Sequence, residues 1–304
     1  MRRPIFTGQH NQAAPVVLFL HIPKTAGTTL DKIIYHYCKI STYLRDEQNC
    51  YQEGIYFFPR GIEPDQYARI FRAAHQCGNE IPEGVARALA RDDLTAVAGH
   101  FPFGIHRFLT RPFTYITLLR DPIDRVISLY YHERKYDHNH AIHKALQSDG
   151  VGLGEFVTKL GYTQANNGQC RMIAGEEPRF GGCERRLLDT AKANLRNHFA
   201  VVGLTERFDE SVDLLTRKLR WRSSGQRGLP SFSPQLVNKD RPPKESLSPQ
   251  VRDMIARHNE LDLELYEYAR LLFEEQLKDQ DADSRQNDAC DMAGGRRRKR
   301  TNST

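Results

Sequence analysis

The stretch Phe19–Ile34, FLHIPKTAGTTLDKII, decides how this chain is read. It begins inside the apolar run PVVLFLHI (15–22) and ends in a helical pattern, with Leu30, Ile33, Ile34 and Tyr37 on one face. A continuous apolar run is what a central parallel strand, buried on both faces, requires. Between strand and helix lies Pro23-Lys24-Thr25-Ala26-Gly27-Thr28-Thr29. A loop entering a helix N-terminus offers backbone N–H groups that the helix does not use, and the helix dipole adds positive potential. Such a place suits a phosphate or a sulfate. Gly27 lets the backbone come close, Thr25, Thr28 and Thr29 add hydroxyls, and Lys24 adds a mobile cation. Plain capping by threonine would need no ligand. The order of residues argues against an ordinary ATP or GTP hydrolase, because a Walker A loop places its lysine after the glycines.

Outward from this stretch, strands alternate with helices. LTAVAGHF (94–101), FTYITLLR (113–120) and FAVVGLTE (199–206) read as strands, and GIYFFP as a short strand-like run. DQYARIFRAAHQ, PEGVARALARD, IDRVISLYYHERKY, GLGEFVTKL, NNGQCRMIAG, CERRLLDTAKANLRNH and RFDESVDLLTRKLRW read as helices. Residues 222–247 read as loop, and 248–277 as a long amphipathic helical region with a break near Asn259. This alternation predicts an α/β fold with a mainly parallel sheet. The expected organisation is a flexible N-terminus (1–14), one domain (15–277) and a disordered charged tail (278–304). In such sheets ligands sit beyond the carboxyl ends of the strands. Three loops fall there: 23–29, 99–106 and 120–128.

The composition fits. The 304 residues are 39% hydrophobic and carry a net charge of +6, enough for a core and a mild preference for anionic partners. No run of about 18 apolar residues occurs, so no transmembrane helix is expected. The basic N-terminus and short apolar stretch resemble a signal peptide, but cleavage there would destroy the Lys24 loop. The stretch is read as the first core strand, and the chain as cytoplasmic, or lumenal if an anchor lies elsewhere. The six cysteines show no zinc spacing. Buried thiols are the default, with Cys170 and Cys183 the candidate disulfide pair. His138, His140 and His143 read as a solvated cluster rather than a metal site. The run Arg296–Arg300 reads as a solvated tail rather than a nucleic-acid contact.

Two further loops carry chemistry. In LLRDPIDRVIS, Arg120 ends a strand and Ser128 stands about two turns into the next helix. A guanidinium can grip a phosphate with paired hydrogen bonds and a serine hydroxyl can add another. Pairing of Arg120 with Asp121 or Asp124 is the plainer alternative. In AGHFPFGIH, His100 ends a strand, and a neutral imidazole is the natural base near pH 7.

HIPKTAGTT resembles the loop that binds the 5′-phosphosulfate end of 3′-phosphoadenosine 5′-phosphosulfate (PAPS) in sulfotransferases. It is similar to the heparan sulfate 2-O- and 6-O-sulfotransferase group. LLRDPIDRVIS resembles that family's 3′-phosphate element, R-D-P-x-x-R-x-x-S. NNGQCRMIAG resembles the N-N-x-Q-x-R-M-L-A element of the 6-O group, and LDLELYEYARLLFEEQ its terminal helix. The resemblance implies a P-loop-NTPase-like three-layer fold with a central, mainly parallel sheet flanked by helices. It implies an O-sulfotransferase that takes PAPS as co-substrate, needs no metal and acts on a hydroxyl, foremost of a glycan. A small alcohol, lipid or protein tyrosine as acceptor, or an inactive binding protein, are the alternatives. It implies that residues 24–29 (Lys24, Thr25, Ala26, Gly27, Thr28, Thr29) hold the phosphosulfate, with Lys24 also catalytic. Arg120 and Ser128 would take the 3′-phosphate, with Arg125 in a structural role. Lys239 and Arg241, in NKDRPPKESLSP, would touch the 3′-phosphate or adenine. His100 would be the general base and His106 a secondary base or acceptor contact. The 2-O enzymes carry His-Gly-His where this chain has Ala98-Gly99-His100, so support from a second histidine is not expected. The 6-O group's long cysteine-containing insertions are largely missing, so acceptor specificity does not transfer.

Overall fold

The fold is given by a computed structural model that describes residues 15–37, 51–52, 55–57, 89–90, 94–136, 140–147, 150–221 and 241–298, without the side chains of 35–37, 51–57, 140, 281 and 283–298. Its sheet has six strands: β1 (Val16–Leu20), β2 (Tyr51–Gln52), β3 (Ile55–Phe57), β4 (Ala96–Gly99), β5 (Phe113–Leu119) and β6 (Phe199–Leu204). They lie in the order β2-β3-β4-β1-β5-β6, and every pair except β2–β3 is parallel. The unbroken apolar run makes β1 the centre, with all five residues buried. Leu20 pairs with Gly99, and Leu119 with Leu204, so these strands end along one edge. β1 is flanked by β4 on one side and β5 on the other. The loop after it therefore opens into the crevice where the chain direction across the sheet reverses.

The helices are α1 (Gly27–Tyr37), α2 (Pro122–Lys135), α3 (His140–Leu146), α4 (Leu153–Thr158), α5 (Gly168–Ala174), α6 (Arg185–His198), α7 (Phe208–Lys218), α8 (Pro249–His258) and α9 (Glu260–Arg298). α2 starts where the Asp-Pro pair says it should. Asp121 caps it by accepting from the Asp124 N–H at 3.0 Å, and Pro122 occupies the first turn, where its missing N–H costs nothing. The main core joins the sheet to α1, α5, α6, α7 and α9, while a second apolar cluster lies among α2, α3, α4 and α8.

The expected break at Asn259 is present, and it is functional in the packing. The carboxylate of Asp262 accepts the N–H groups of Gln169 (3.0 Å) and Cys170 (2.7 Å) at the start of α5. The side-chain oxygen of Asn167 accepts those of Leu261 (3.0 Å) and Asp262 (3.1 Å) at the start of α9. Each helix start thus satisfies the other's orphan donors. Asn167 adopts φ 54°, a left-handed conformation that asparagine tolerates better than most residues.

One expectation needs correction. α9 does not end near Leu277 but continues to Arg298. No glycine or proline interrupts the chain from Glu260 to Ala293, and Gln280 is still buried against the domain. The segments DQYARIFRAAHQ and PEGVARALARD lie outside the described residues apart from 89–90. Among the described residues, no helix is long and apolar enough to cross a membrane.

Candidate active site

The loop after β1 is held in an unusual backbone shape. Lys24 (φ 71°) and Ala26 (φ 63°) both lie in the left-handed region, where a side chain costs about 1–2 kcal/mol per residue. Alternating handedness of this kind turns successive N–H groups to one side and makes an anion-binding concavity. Two arginines of the segment after β5 hold the shape, Arg120 directly after the strand and Arg125 in the first turn of α2. Arg125 Nε donates to the Pro23 carbonyl at 3.1 Å, and Arg120 Nη1 to the Lys24 carbonyl at 3.1 Å. Because trans peptides are planar, carbonyls drawn toward α2 send the following N–H groups the opposite way.

Two loop residues do other work than expected. The Thr25 hydroxyl is buried and donates to the Ile22 carbonyl at 2.9 Å, so it braces the loop and only its backbone can serve a ligand. Gly27 is required by the ring of His21, since a Cβ there would lie 2.0 Å from that ring. Thr28 is half-buried and Thr29 buried at the start of α1, where the Thr29 N–H bonds the Ala26 carbonyl at 3.1 Å.

His100 follows β4 directly and is half-buried. Its Nδ1 lies 2.7 Å from the main-chain carbonyl of His21. A carbonyl only accepts, so Nδ1 carries the proton and Nε2 is the basic nitrogen of the neutral ring. A second histidine does stand beside it, contrary to expectation. The His21 ring is 4.3 Å from the His100 ring, centroid to centroid, and comes from the end of β1 rather than from the adjacent sequence. The available signal was a histidine inside PVVLFLHI, where a polar ring needs a partner.

Arg120 sits at the end of β5. The side chain of Gln169 clamps its backbone from both sides, donating to the Arg120 carbonyl (2.9 Å) and accepting the Arg120 N–H (3.0 Å). The guanidinium is largely buried, and its Nε has no hydrogen-bond partner among the described residues. Burial, and then the nearby Arg241 guanidinium, push the Arg120 pKa down. Asp124, Glu206 and Asp121 oppose that shift, and the buried Nε left over beside a second guanidinium is a donor that an anion could take. Arg241 is anchored on α2, through the Asp124 carbonyl (2.7 Å) and carboxylate (3.2 Å). Ser128 is half-buried one turn beyond Asp124 on the same stripe. Lys244, not expected from the sequence, clamps the Asp121 cap at 2.8 Å. Lys239 lies outside the described residues. Arg125 is fully buried, bonded to Gln164 twice at 2.9 Å, and so is structural.

Glu133 shares the Arg125–Leu129 stripe of α2, two turns past Arg125. It is 4% exposed, takes a 3.3 Å hydrogen bond from the Tyr162 hydroxyl on Oε1, and leaves Oε2 unpartnered among the described residues. Burial pushes its pKa up to about 7, opposed by the Tyr162 bond and by Lys24. A carboxyl with a raised folded pKa holds a proton that the unfolded chain releases. Stability is therefore largest at acid pH and falls as pH rises toward 7, by about 3 kcal/mol in all. Glu133→Gln should raise the melting temperature at pH 8 and leave it unchanged near pH 4.5, as thermal denaturation at both pH values would show.

His106 belongs elsewhere. Its Nδ1 lies 3.1 Å from the Tyr115 hydroxyl, and it stacks on Phe113 and His198. Phe113 and Phe199 open β5 and β6, so this cluster lies at the amino edge of the sheet, opposite His100. Burial and His198 lower its pKa to about 4, and its place at the opposite edge of the sheet, in contact with Tyr115, Phe113 and His198, separates it from His100. Cys170 and Cys183 are free thiols, and burial pushes both pKa values up. The other cysteines fall among residues or side chains outside the description. His143 Nδ1 bonds the Glu133 carbonyl at 2.8 Å, and among the described residues no group of His, Cys, Asp and Glu is placed to hold a metal ion.

The fold is α/β, with a mainly parallel sheet whose carboxyl edge gathers Lys24, Arg120 and the His100 imidazole on the segments after β1, β5 and β4, the edge where ligands of such sheets sit. The profile of the Sulfotransferase family matches residues 12–269, and the chain belongs to that family. Heparan-sulfate 6-O-sulfotransferase 3 from Mus musculus and from Homo sapiens are each 29% identical to it over 298 residues, covering 86% of this chain and 58% of theirs. Heparan-sulfate 6-O-sulfotransferase 1 from Homo sapiens is 27% identical over 302 residues, covering 86% of this chain and 66% of its own. The chain thus spans roughly three-fifths of the length of these curated relatives.

Proposed function

We propose that this protein is a PAPS-dependent O-sulfotransferase whose acceptor is a hydroxyl of a glycan resembling heparan sulfate. The observation that carries the reading is the hydrogen bond from Arg120 to the Lys24 carbonyl, 3.1 Å long, which ties two anion loops into one crevice. A nucleotide with anionic groups at both ends would occupy both loops at once. The leftover buried Nε of Arg120, beside Arg241, fits the 3′-phosphate. Ser128 would add its hydroxyl. The N–H groups of residues 24–29 would hold the phosphosulfate. The relatives named above act, by their names, on heparan sulfate, and this favours a glycan over a small alcohol, a lipid or a protein tyrosine.

When bound, PAPS supplies a sulfuryl group on a phosphosulfate anhydride. The chain's own contribution is alignment and charge stabilisation, as in phosphoryl transfer. His100 takes the acceptor hydroxyl's proton on Nε2 as the oxygen attacks sulfur. Lys24 and the loop amides offset negative charge that develops on the departing phosphate oxygen. Transfer is direct and in line.

The deciding experiment supplies radiolabelled PAPS with desulfated heparan sulfate, a small alcohol and a tyrosine peptide as separate acceptors. Label appearing on the glycan, at the 6-hydroxyl or elsewhere, supports the reading. Label only on another acceptor keeps the donor and replaces the glycan. Lys24→Ala should weaken PAPS binding and lower turnover together, each by about tenfold or more. Unchanged kinetics would remove Lys24 from the site.

A further inference from the structure

His21 is 5% exposed and lies at the crossing of three elements. Its N–H bonds the Gly99 carbonyl at 2.9 Å, and its carbonyl accepts from His100 Nδ1 at 2.7 Å. Its ring stacks on Phe19 (centroids 5.3 Å apart, 9° between planes), meets the His100 ring at 4.3 Å, and covers the face of Gly27. On α1, Asp31 reaches back toward it. Asp31 Oδ2 lies 3.4 Å from His21 Nδ1. Asp31 Oδ1 is buried without a hydrogen-bond partner among the described residues. Packing alone does not call for this arrangement. A half-satisfied buried carboxylate is costly and is expected where its charge is used.

We infer that Asp31 and His21 are positioning residues for His100, which fix its ring and stabilise the imidazolium it forms on taking the acceptor's proton. The inference rests on the reading of His100 as the base. In the step itself, the acceptor O–H bond breaks and its proton passes to His100 Nε2. The acceptor oxygen bonds to sulfur as the bond from sulfur to the phosphate oxygen breaks. The ring of His100 then carries a positive charge. Behind it stand the His21 ring and, one imidazole further, the carboxylate of Asp31. A negative charge held there favours the charged base, as a buried aspartate does for other catalytic histidines. Here the support passes through a ring contact rather than through a hydrogen bond to the base. Among the described residues, the titratable groups set against the His21 ring are Asp31 from α1 and His100 from the turn after β4; Lys24 follows three residues later in the same loop.

The same loop geometry would therefore serve two purposes. β1 and α1 shape the anion cradle, and they also carry the pair that sets the base. Gly27 is the contact between them. Any side chain at this position would press on the His21 ring and disturb both.

The test uses the full chain with Asp31→Asn, Asp31→Glu and His21→Gln. Histidine NMR follows the titration of His100, assigned by the signal missing in His100→Ala, and steady-state assays give kcat and the KM for PAPS. Asp31→Asn is expected to lower the His100 titration midpoint by about one pH unit and kcat by about tenfold, with the KM for PAPS unchanged. Asp31→Glu should restore part of both. His21→Gln should lower kcat at least as far; should it fail to fold, the Asp31 variants still decide. A His100 midpoint that does not move in Asp31→Asn overturns the inference, even if kcat falls. A wild-type protein that transfers nothing from PAPS fails the sulfotransferase reading instead, and the titration still reports whether the pair acts on His100.

Discussion

Replacing His100 by alanine should lower turnover by about 10²–10⁴-fold, while binding of 3′,5′-ADP, the product nucleotide, stays within a factor of about two. The separation follows from where the residue stands. His100 ends β4 with its proton committed to the His21 carbonyl at 2.7 Å, which leaves Nε2 as the proton acceptor. The anion loops lie after β1 and β5, and their braces, Arg120 and Arg125, make none of their bonds to His100. Under the proposed mechanism, removing the imidazole would therefore take away the base and spare the cradle. Rapid-mixing or steady-state assays at saturating PAPS, with calorimetry on the same variant, give both numbers. Near-normal turnover would take His100 out of the mechanism. An equal loss of nucleotide affinity would make it a structural residue of the cradle.

The second large effect concerns Arg120. Calorimetric titration with 3′,5′-ADP should show binding that is at least about 100-fold weaker in Arg120→Ala, because hydrogen bonds to charged groups contribute about 1.5–3 kcal/mol each. ATP, which lacks the 3′-phosphate, should bind the wild-type protein weakly and should lose far less affinity on the substitution than 3′,5′-ADP does. Arg120→Lys separates charge from geometry. A lysine keeps the positive charge and loses the planar fork that both reaches the Lys24 carbonyl and leaves Nε to spare. Its affinity should fall between the two. A wild-type protein with no preference for the 3′-phosphorylated nucleotide would count against this site as the seat of the donor.

The effect of Arg120→Ala should also spread to the first loop. The Lys24 carbonyl would lose its partner, and Arg125 alone would hold the pair of left-handed residues in place. Loss of affinity for the phosphosulfate end would then accompany loss at the 3′-phosphate end. Inorganic sulfate, competing with 3′,5′-ADP in both proteins, would detect this second component.

Much of this architecture was legible along the chain because it rests on local patterns. An apolar run such as PVVLFLHI has few alternatives to a buried strand, and Asp121-Pro122 marks a helix start by capping and by fixed φ. The break at Asn259 could be anticipated for the same reason. The length of α9 could not. Charged sequence, free of glycine and proline as far as Ala293, reads equally as solvated tail and as helix, and packing of its first part decides the matter. The roles within the loops were also hidden. Thr25 looks like any hydroxyl donor until its bond to the Ile22 carbonyl is seen, and Gly27 looks like a glycine for a phosphate until the His21 ring is placed against it.

By itself, then, the sequence determined an α/β chain with a mainly parallel sheet, the loops at its strand ends, and the residue types Lys24, His100, Arg120 and Ser128 at their spacings. Those follow from periodicity, capping and loop chemistry, which act over a few residues. Only the tertiary structure decided which side chains meet. Arg120 reaches Lys24 across 96 positions, Gln169 clamps Arg120 across 49, and His100 finds His21 across 79. It also sent His106 to the far edge of the sheet and buried Glu133 within reach of the Lys24 charge. Contacts of this kind depend on strand order and on burial, and neither is carried by any short stretch of chain.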